Sequence, residues 1–284
     1  MTRATMFLCA LLLAGSAWAQ PPQPADPLAA DWRPIPDDEI LVITLEGGRP
    51  VVIRLATRLA PAHVANIRAL ANAHWWDGTS VYRVQEGFVA QWGDPSEQKP
   101  LPPGIVETPA AEFEVGAFDA AQRLTRSDAY STTTGFTADG WPIATNGTTA
   151  WLPHCYGAVG VARSASPDTG SGAALFTGIG QAPRRLDRNY TVVGRIIIGM
   201  QFLSSLPRGN GPAGVYTDAR ERTPIVSVRL ASEIPAAERP HFEYRATDNP
   251  RFAAALRLRE TPATSANVGG VDVCDVPMAL RLAQ

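Results

Sequence analysis

The stretch "EILVITLEGGRPVVIRLA" at residues 39–56 constrains the fold more than any other part of the chain. It holds two alternating apolar runs on either side of Gly47-Gly48. Successive side chains of a strand point to opposite faces, and two glycines tolerate the left-handed backbone of a tight reversal, so the stretch reads as a β-hairpin. Similar short runs recur at 80–93, 156–163, 172–180, 190–199 and 224–232. Between residues 39 and 232 helical spacing appears only in "APAHVANIRALANAHWWDG", where Pro61 suits a first turn, and in a short piece at about 199–206. Many short strands with few helices point to an all-β barrel or sandwich, not to alternating β-α units.

The ends of this region differ in character. Residues 1–19, "MTRATMFLCALLLAGSAWA", carry one early arginine, an apolar run and small residues at Ala17 and Ala19. This is the pattern of a secretory signal cleaved after Ala19, with no membrane anchor left behind. Residues 20–36 are rich in proline and read as an extended leader with little structure of its own. The folded domain is expected over 37–232. Residues 96–156 interrupt it with turn-forming pieces such as "STTTG" and "NGTTAW", and read as a long insertion. Residues 233–284 form a C-terminal extension with a helix pattern in "NPRFAAALRLRE".

Composition excludes several roles. A formal charge of −2, spread without long runs of either sign, does not suit nucleic-acid or membrane-surface binding. Of three cysteines, Cys9 lies in the signal. Cys155 and Cys274 are then candidates for a disulfide in an oxidising compartment, a pairing that their spacing does not establish. The four histidines are scattered without ligand spacing, so no metal or cofactor is expected; His154-Cys155 reads as a pair of loop neighbours.

Three separated segments resemble one family. "SVYRVQEGFVAQWGDP" (80–95), "VARSASPDTGSGAALF" (161–176) and "LDRNYTVVGRIIIGM" (186–200) are similar, in that order, to the cyclophilin-type peptidyl-prolyl cis-trans isomerases, and "APAHVANIRALA" agrees with the family's first helix. The resemblance covers roughly residues 39–232. It implies an eight-stranded antiparallel barrel capped by two helices, with a peptide groove on its outer face. It also implies roles: Arg83 as catalytic arginine, Phe88 and Val89 as apolar floor, and Gln91 as the group orienting the substrate backbone. Ala162 and Arg163 fall on the peptide-contacting strand. Phe176 matches the aromatic that packs on proline, with Leu175 as the alternative alignment, while Leu186 lies beside it and Tyr190 stands where histidine is usual.

The chemistry suits these residue types. Rotation about an X-Pro amide crosses a barrier of about 18 to 20 kcal/mol without breaking a bond. As the amide twists, its nitrogen gains a lone pair that a permanently charged guanidinium can stabilise, and only such selective stabilisation accelerates the step. Departures from the family pattern are Ala174 for a substrate-contacting glutamine, Arg185 where many members carry tryptophan, Trp92 for glycine and Tyr82 for histidine. Arg185 implies weak cyclosporin inhibition. The expected function is isomerisation of proline-containing polypeptides in the periplasm, with the insertion available to an envelope partner. The alternative is a non-catalytic peptide-binding or chaperone module on the same fold.

Overall fold

The computed structural model describes residues 27–117, 120–180, 183–261 and 270–283; the signal sequence expected at 1–19 lies outside them. In chain order the strands and helices are β1 (Trp32–Pro34), β2 (Ile40–Leu45), β3 (Arg49–Leu55), α1 (Pro61–Asn72), β4 (Ser80–Val84) and β5 (Val89–Gly93). The next are β6 (Gln122–Arg123), β7 (Thr133–Phe136), β8 (Pro142–Thr145), β9 (Ala150–Trp151), β10 (Ala158–Val161) and β11 (Leu175–Gly178). Last come β12 (Val192–Ile198), α2 (Met200–Ser204), β13 (Thr223–Leu230), β14 (Phe242–Arg245), α3 (Pro250–Glu260) and β15 (Leu280–Leu282).

Eight strands close an antiparallel barrel in the order β10-β11-β5-β4-β13-β2-β3-β12. Its first hairpin is the β2–β3 pair, joined in register from Ile40↔Arg54 to Leu45↔Arg49. Both glycines of the turn hold positive φ, 78° at Gly47 and 73° at Gly48, which a side chain would oppose. Alternation sends Ile43, Val51, Ile53, Val81, Trp92, Val159, Leu175 and Val228 into one core. Helix α1 adds Val64, Ile67, Leu70 and Ala71 to that core, and α2 adds Leu203, so two helices close the barrel as expected. The N-terminus of α1 is capped from the insertion: the Glu112 carboxylate accepts N–H bonds from Ala62 (2.8 Å) and His63 (3.0 Å) and meets the buried His63 ring at 2.6 Å. Burial raises the cost of that charge, yet the His63 ring and the two amides win and hold the Glu112 carboxyl below its ordinary pKa.

Two segments are more ordered than their sequence indicates. The insertion contains a four-stranded antiparallel sheet, β6-β7-β8-β9. The end of the expected unstructured leader is folded: β1 pairs with β14, which pairs with β15, so leader and extension share a three-stranded sheet. Proline content does not reveal that Trp32–Pro34 finds a partner strand over 200 residues later. Apolar clusters bind these layers to the barrel and to each other. Trp141, Ile143 and Leu152 of the insertion pack on Ala158 and Val192. Phe136 and Leu124 pack on Phe252 and Leu256 of α3, and Ile35 and Phe242 pack on Ile40 and Val52. Cys155 and Cys274 are joined by a disulfide that ties the extension to the segment entering β10.

Candidate active site

The outer face of four neighbouring barrel strands brings the candidate residues into one row. Arg83 of β4 lies opposite Gln91 of β5, Gln91 opposite Phe176 of β11, and Phe176 opposite Gly160 of β10. A β-bulge between Val81 and Arg83 sets the first member of the row. The extra residue lets Tyr82 and Arg83 both leave the barrel on its outer side while Val81 and Val84 remain in the core. The register also separates the two alignments of the aromatic: Leu175 is buried in the core, and Phe176 points outward over Gly160.

The Arg83 side chain is half-buried and held at three points. Its Nε–H donates to the Ala213 carbonyl at 2.7 Å, one terminal nitrogen to Gln91 Oε1 at 2.8 Å, and the other to Gln85 Oε1 at 2.7 Å. Burial draws its pKa down, opposed by Tyr82 and Tyr190. The Gln91 amide is fixed at both ends, since its Nε2 donates to the Tyr82 hydroxyl at 2.5 Å. Burial raises the Tyr82 pKa, so that phenol stays neutral. The Ala213 carbonyl reaches Arg83 because residues 209–216 run beside β4, bonded through Gly209 N–H to Val84 O and Tyr216 N–H to Tyr82 O.

Phe176 is nearly buried. His154 stacks parallel on its ring at 6.0 Å between centroids, and Tyr190 meets it edge-on at 5.6 Å. His154 is itself held by Asp187, whose Oδ1 accepts the His154 backbone N–H at 2.8 Å and lies 3.2 Å from its Nδ1. Burial opposes the Asp187 charge, but the His154 bonds and the Arg184 guanidinium at 2.7 Å keep its carboxyl below the usual range. Behind the ring, Gly160 leaves no room for a side chain: a Cβ there would lie 2.4 Å from the ring tip.

The other candidates surround this row. Val89 is buried on β5, and Phe88 is half-buried with the Arg185 guanidinium 4.6 Å above its ring. Leu186 sits half-buried at the end of the turn Pro183–Leu186 that leads to Tyr190. Arg163 lies over Tyr190 and Phe113 and bonds the Asn189 carbonyl at 2.9 Å. Ala162 and Ala174, joined by a backbone bond, border a cleft of about 570 Å³ that opens beside Gln91 towards Asp94 and Lys99. Sequence reasoning did not anticipate Gln85, Ala213, His154 or Gly160. Among the described residues no group of three His, Cys, Asp or Glu could hold a metal, and no helix is long and apolar enough to cross a membrane.

The sequence profile of the family described as "Cyclophilin type peptidyl-prolyl cis-trans isomerase/CLD" matches residues 40–230, the span of the barrel. The chain belongs to the cyclophilin-type isomerases. Within that family, it is 28% identical over 174 residues to a "Probable peptidyl-prolyl cis-trans isomerase" of Brucella suis, covering 61% of this chain and 74% of that protein. A shorter match, 43% over 51 residues, relates it to "Peptidyl-prolyl cis-trans isomerase B" of Bacillus subtilis, over 18% of this chain and 36% of that one. Among solved structures it is similar to cyclophilin AquaCyp293 from Hirschia baltica, with a TM-score of 0.68 at 26% identity, covering 88% of this chain and 93% of that chain. That likeness extends well beyond the cyclophilin barrel alone.

Proposed function

We propose that this cyclophilin-type isomerase acts on X-Pro bonds of exported polypeptides, with Arg83 stabilising the twisted amide. The observation that carries the reading is the row Arg83–Gln91–Phe176, in which a half-buried guanidinium is held by three acceptors, one of them the Gln91 amide that lies opposite Phe176. A fixed cation loses little freedom when it meets the developing lone pair, and a low-dielectric groove strengthens the contact. Phe176, with Phe88, Val89 and Leu186, holds the pyrrolidine ring while the chain on its other side rotates. Gln91 anchors a substrate carbonyl, and the peptide runs past Ala162, Arg163 and Tyr190. A thousandfold acceleration needs only about 4 kcal/mol of preference for the twisted state.

Export to the periplasm is the second part of the proposal, supported by the pattern of residues 1–19 and by a disulfide between the two cysteines that follow it. The exposed Val106 and Tyr130 of the insertion are the proposed contact points for an envelope partner.

The test is a protease-coupled assay on an Ala-Pro peptide with the processed protein, Arg83→Ala and Arg83→Lys. Loss of kcat/KM by about 10²-fold or more in Arg83→Ala, with partial recovery in Arg83→Lys, supports the mechanism. Equal activity of all three proteins would sink it. The second reading, peptide binding without turnover, is favoured by Arg185 over the Phe88 ring. An inactive wild type that still binds the peptide in NMR titrations would establish that reading instead.

A further inference from the structure

We infer that a cavity between the barrel, the insertion and the C-terminal extension binds a small monocarboxylate with an apolar body, held by Arg195. The cavity measures about 220 Å³. Trp141 and Leu152 of the insertion, Ala158 and Val192 of the barrel, and Val276 and Met278 of the extension form its walls. It lies away from the Arg83 row, at a three-way junction of chain segments.

The wall residue that does not match the rest is Arg195. On β12 it lies between Arg54 and Ala158, on the outward side of the barrel that the insertion covers. Its neighbour Arg54 is provided for: one nitrogen donates to the Asp139 carbonyl at 2.9 Å, the Asp139 carboxylate is 3.7 Å away, and the rings of Trp141 and Tyr244 flank the guanidinium. Arg195 has no side-chain hydrogen bond, ion pair or ring contact among the described residues. The charge that acts on it is Arg54, of the same sign; that repulsion, after the larger effect of burial, brings its pKa down to about 10. It is still cationic at neutral pH.

Arg195 is half-buried, and a charge set beside a like charge among apolar walls is stabilised when an anion meets it. A carboxylate does this best, because its two oxygens match the guanidinium fork. One guanidinium and apolar walls suit a single negative charge better than a phosphate dianion. An apolar cavity of about 150 Å³ accepts benzene, so this one accommodates an aromatic or short aliphatic acid of roughly nine heavy atoms.

The experiment titrates the full processed chain with benzoate and its neutral isostere benzamide, by calorimetry and by NMR shifts of the Trp141 indole N–H. Arg195→Met and Ala158→Leu, which fills the cavity while keeping the arginine, are titrated alongside. Saturable benzoate binding is expected, with benzamide at least about tenfold weaker. Arg195→Met should lose benzoate binding while melting no lower than wild type in the absence of benzoate, and Ala158→Leu should lose it as well. Equal affinity for benzoate and benzamide, no saturable benzoate binding by wild type, or undiminished binding by Arg195→Met would each overturn the inference. Arg83→Ala should bind benzoate as wild type does, which separates this site from the isomerase groove.

Discussion

Replacing Gly160 by alanine isolates the placement of the Phe176 ring, proposed to pack on proline, from every charged group in the site. The new Cβ would stand 2.4 Å from the Phe176 ring tip and 2.8 and 2.9 Å from the two flanking ring carbons. Ordinary carbon contacts begin near 3.5 Å, so the ring must move by about 1 Å. Retreat is restricted by His154 stacked on its face and Tyr190 at its edge. Overpacking of this kind costs about 1–3 kcal/mol of stability. A shift of about 1 Å in a positioning group costs about 10²-fold in rate, close to 2.7 kcal/mol of transition-state stabilisation. The assay is kcat/KM on an Ala-Pro peptide for wild type, Gly160→Ala, Phe176→Ala and the double variant, with thermal melts to establish folding. Because both changes act through one ring, the double variant should be no worse than Phe176→Ala alone. A folded Gly160→Ala protein within twofold of wild type, or losses that simply add, would refute the reasoning.

Glu112→Gln should lower stability by about 2 kcal/mol, since it weakens the cap on α1 and the bond to His63. Its effect should also depend on pH. The folded Glu112 carboxyl has a lowered pKa, so its stabilisation is complete above the unfolded value of about 4.3 and is lost as pH falls through the lower folded value. Melts across that range should show a shallower acid decline in the variant. Cys274→Ser, opening a link across 119 residues, should cost at most about 5 kcal/mol, read as an earlier denaturant midpoint. Wild type should be weakly inhibited by cyclosporin, and Arg185→Trp should tighten inhibition by about tenfold or more; an unchanged inhibition constant would count against a role for that position.

The barrel was legible because its strands are long enough to alternate: β2, β3 and β12 run for six or seven residues each. Arg83, Gln91 and Phe176 were legible as candidates through the two family-like segments that carry them, 80–95 and 161–176. The insertion was not, because β6 and β9 contain two residues each, and the four-residue β7 and β8 lie among turn-forming residues with no family-like segment to mark them. The leader strand β1 is three residues whose pairing lies beyond any local window. Ala213 contributes a backbone carbonyl, and every residue type has one. His154 contributes a ring face, which a search for ligand or base spacing passes over. The cysteine pair was visible as a count of two, but only the packing of the extension brings the sulfurs together.

The small sheet that joins β1, β14 and β15 sets an order of assembly. A chain emerging from its N-terminus has the whole barrel, up to Leu230, before β14 exists, and β15 follows later still. The barrel can close while the leader strand waits, unpaired, for a partner made after it. A nascent chain halted after the barrel would therefore carry an open strand edge at Trp32–Pro34, covered only once Phe242–Arg245 has been made.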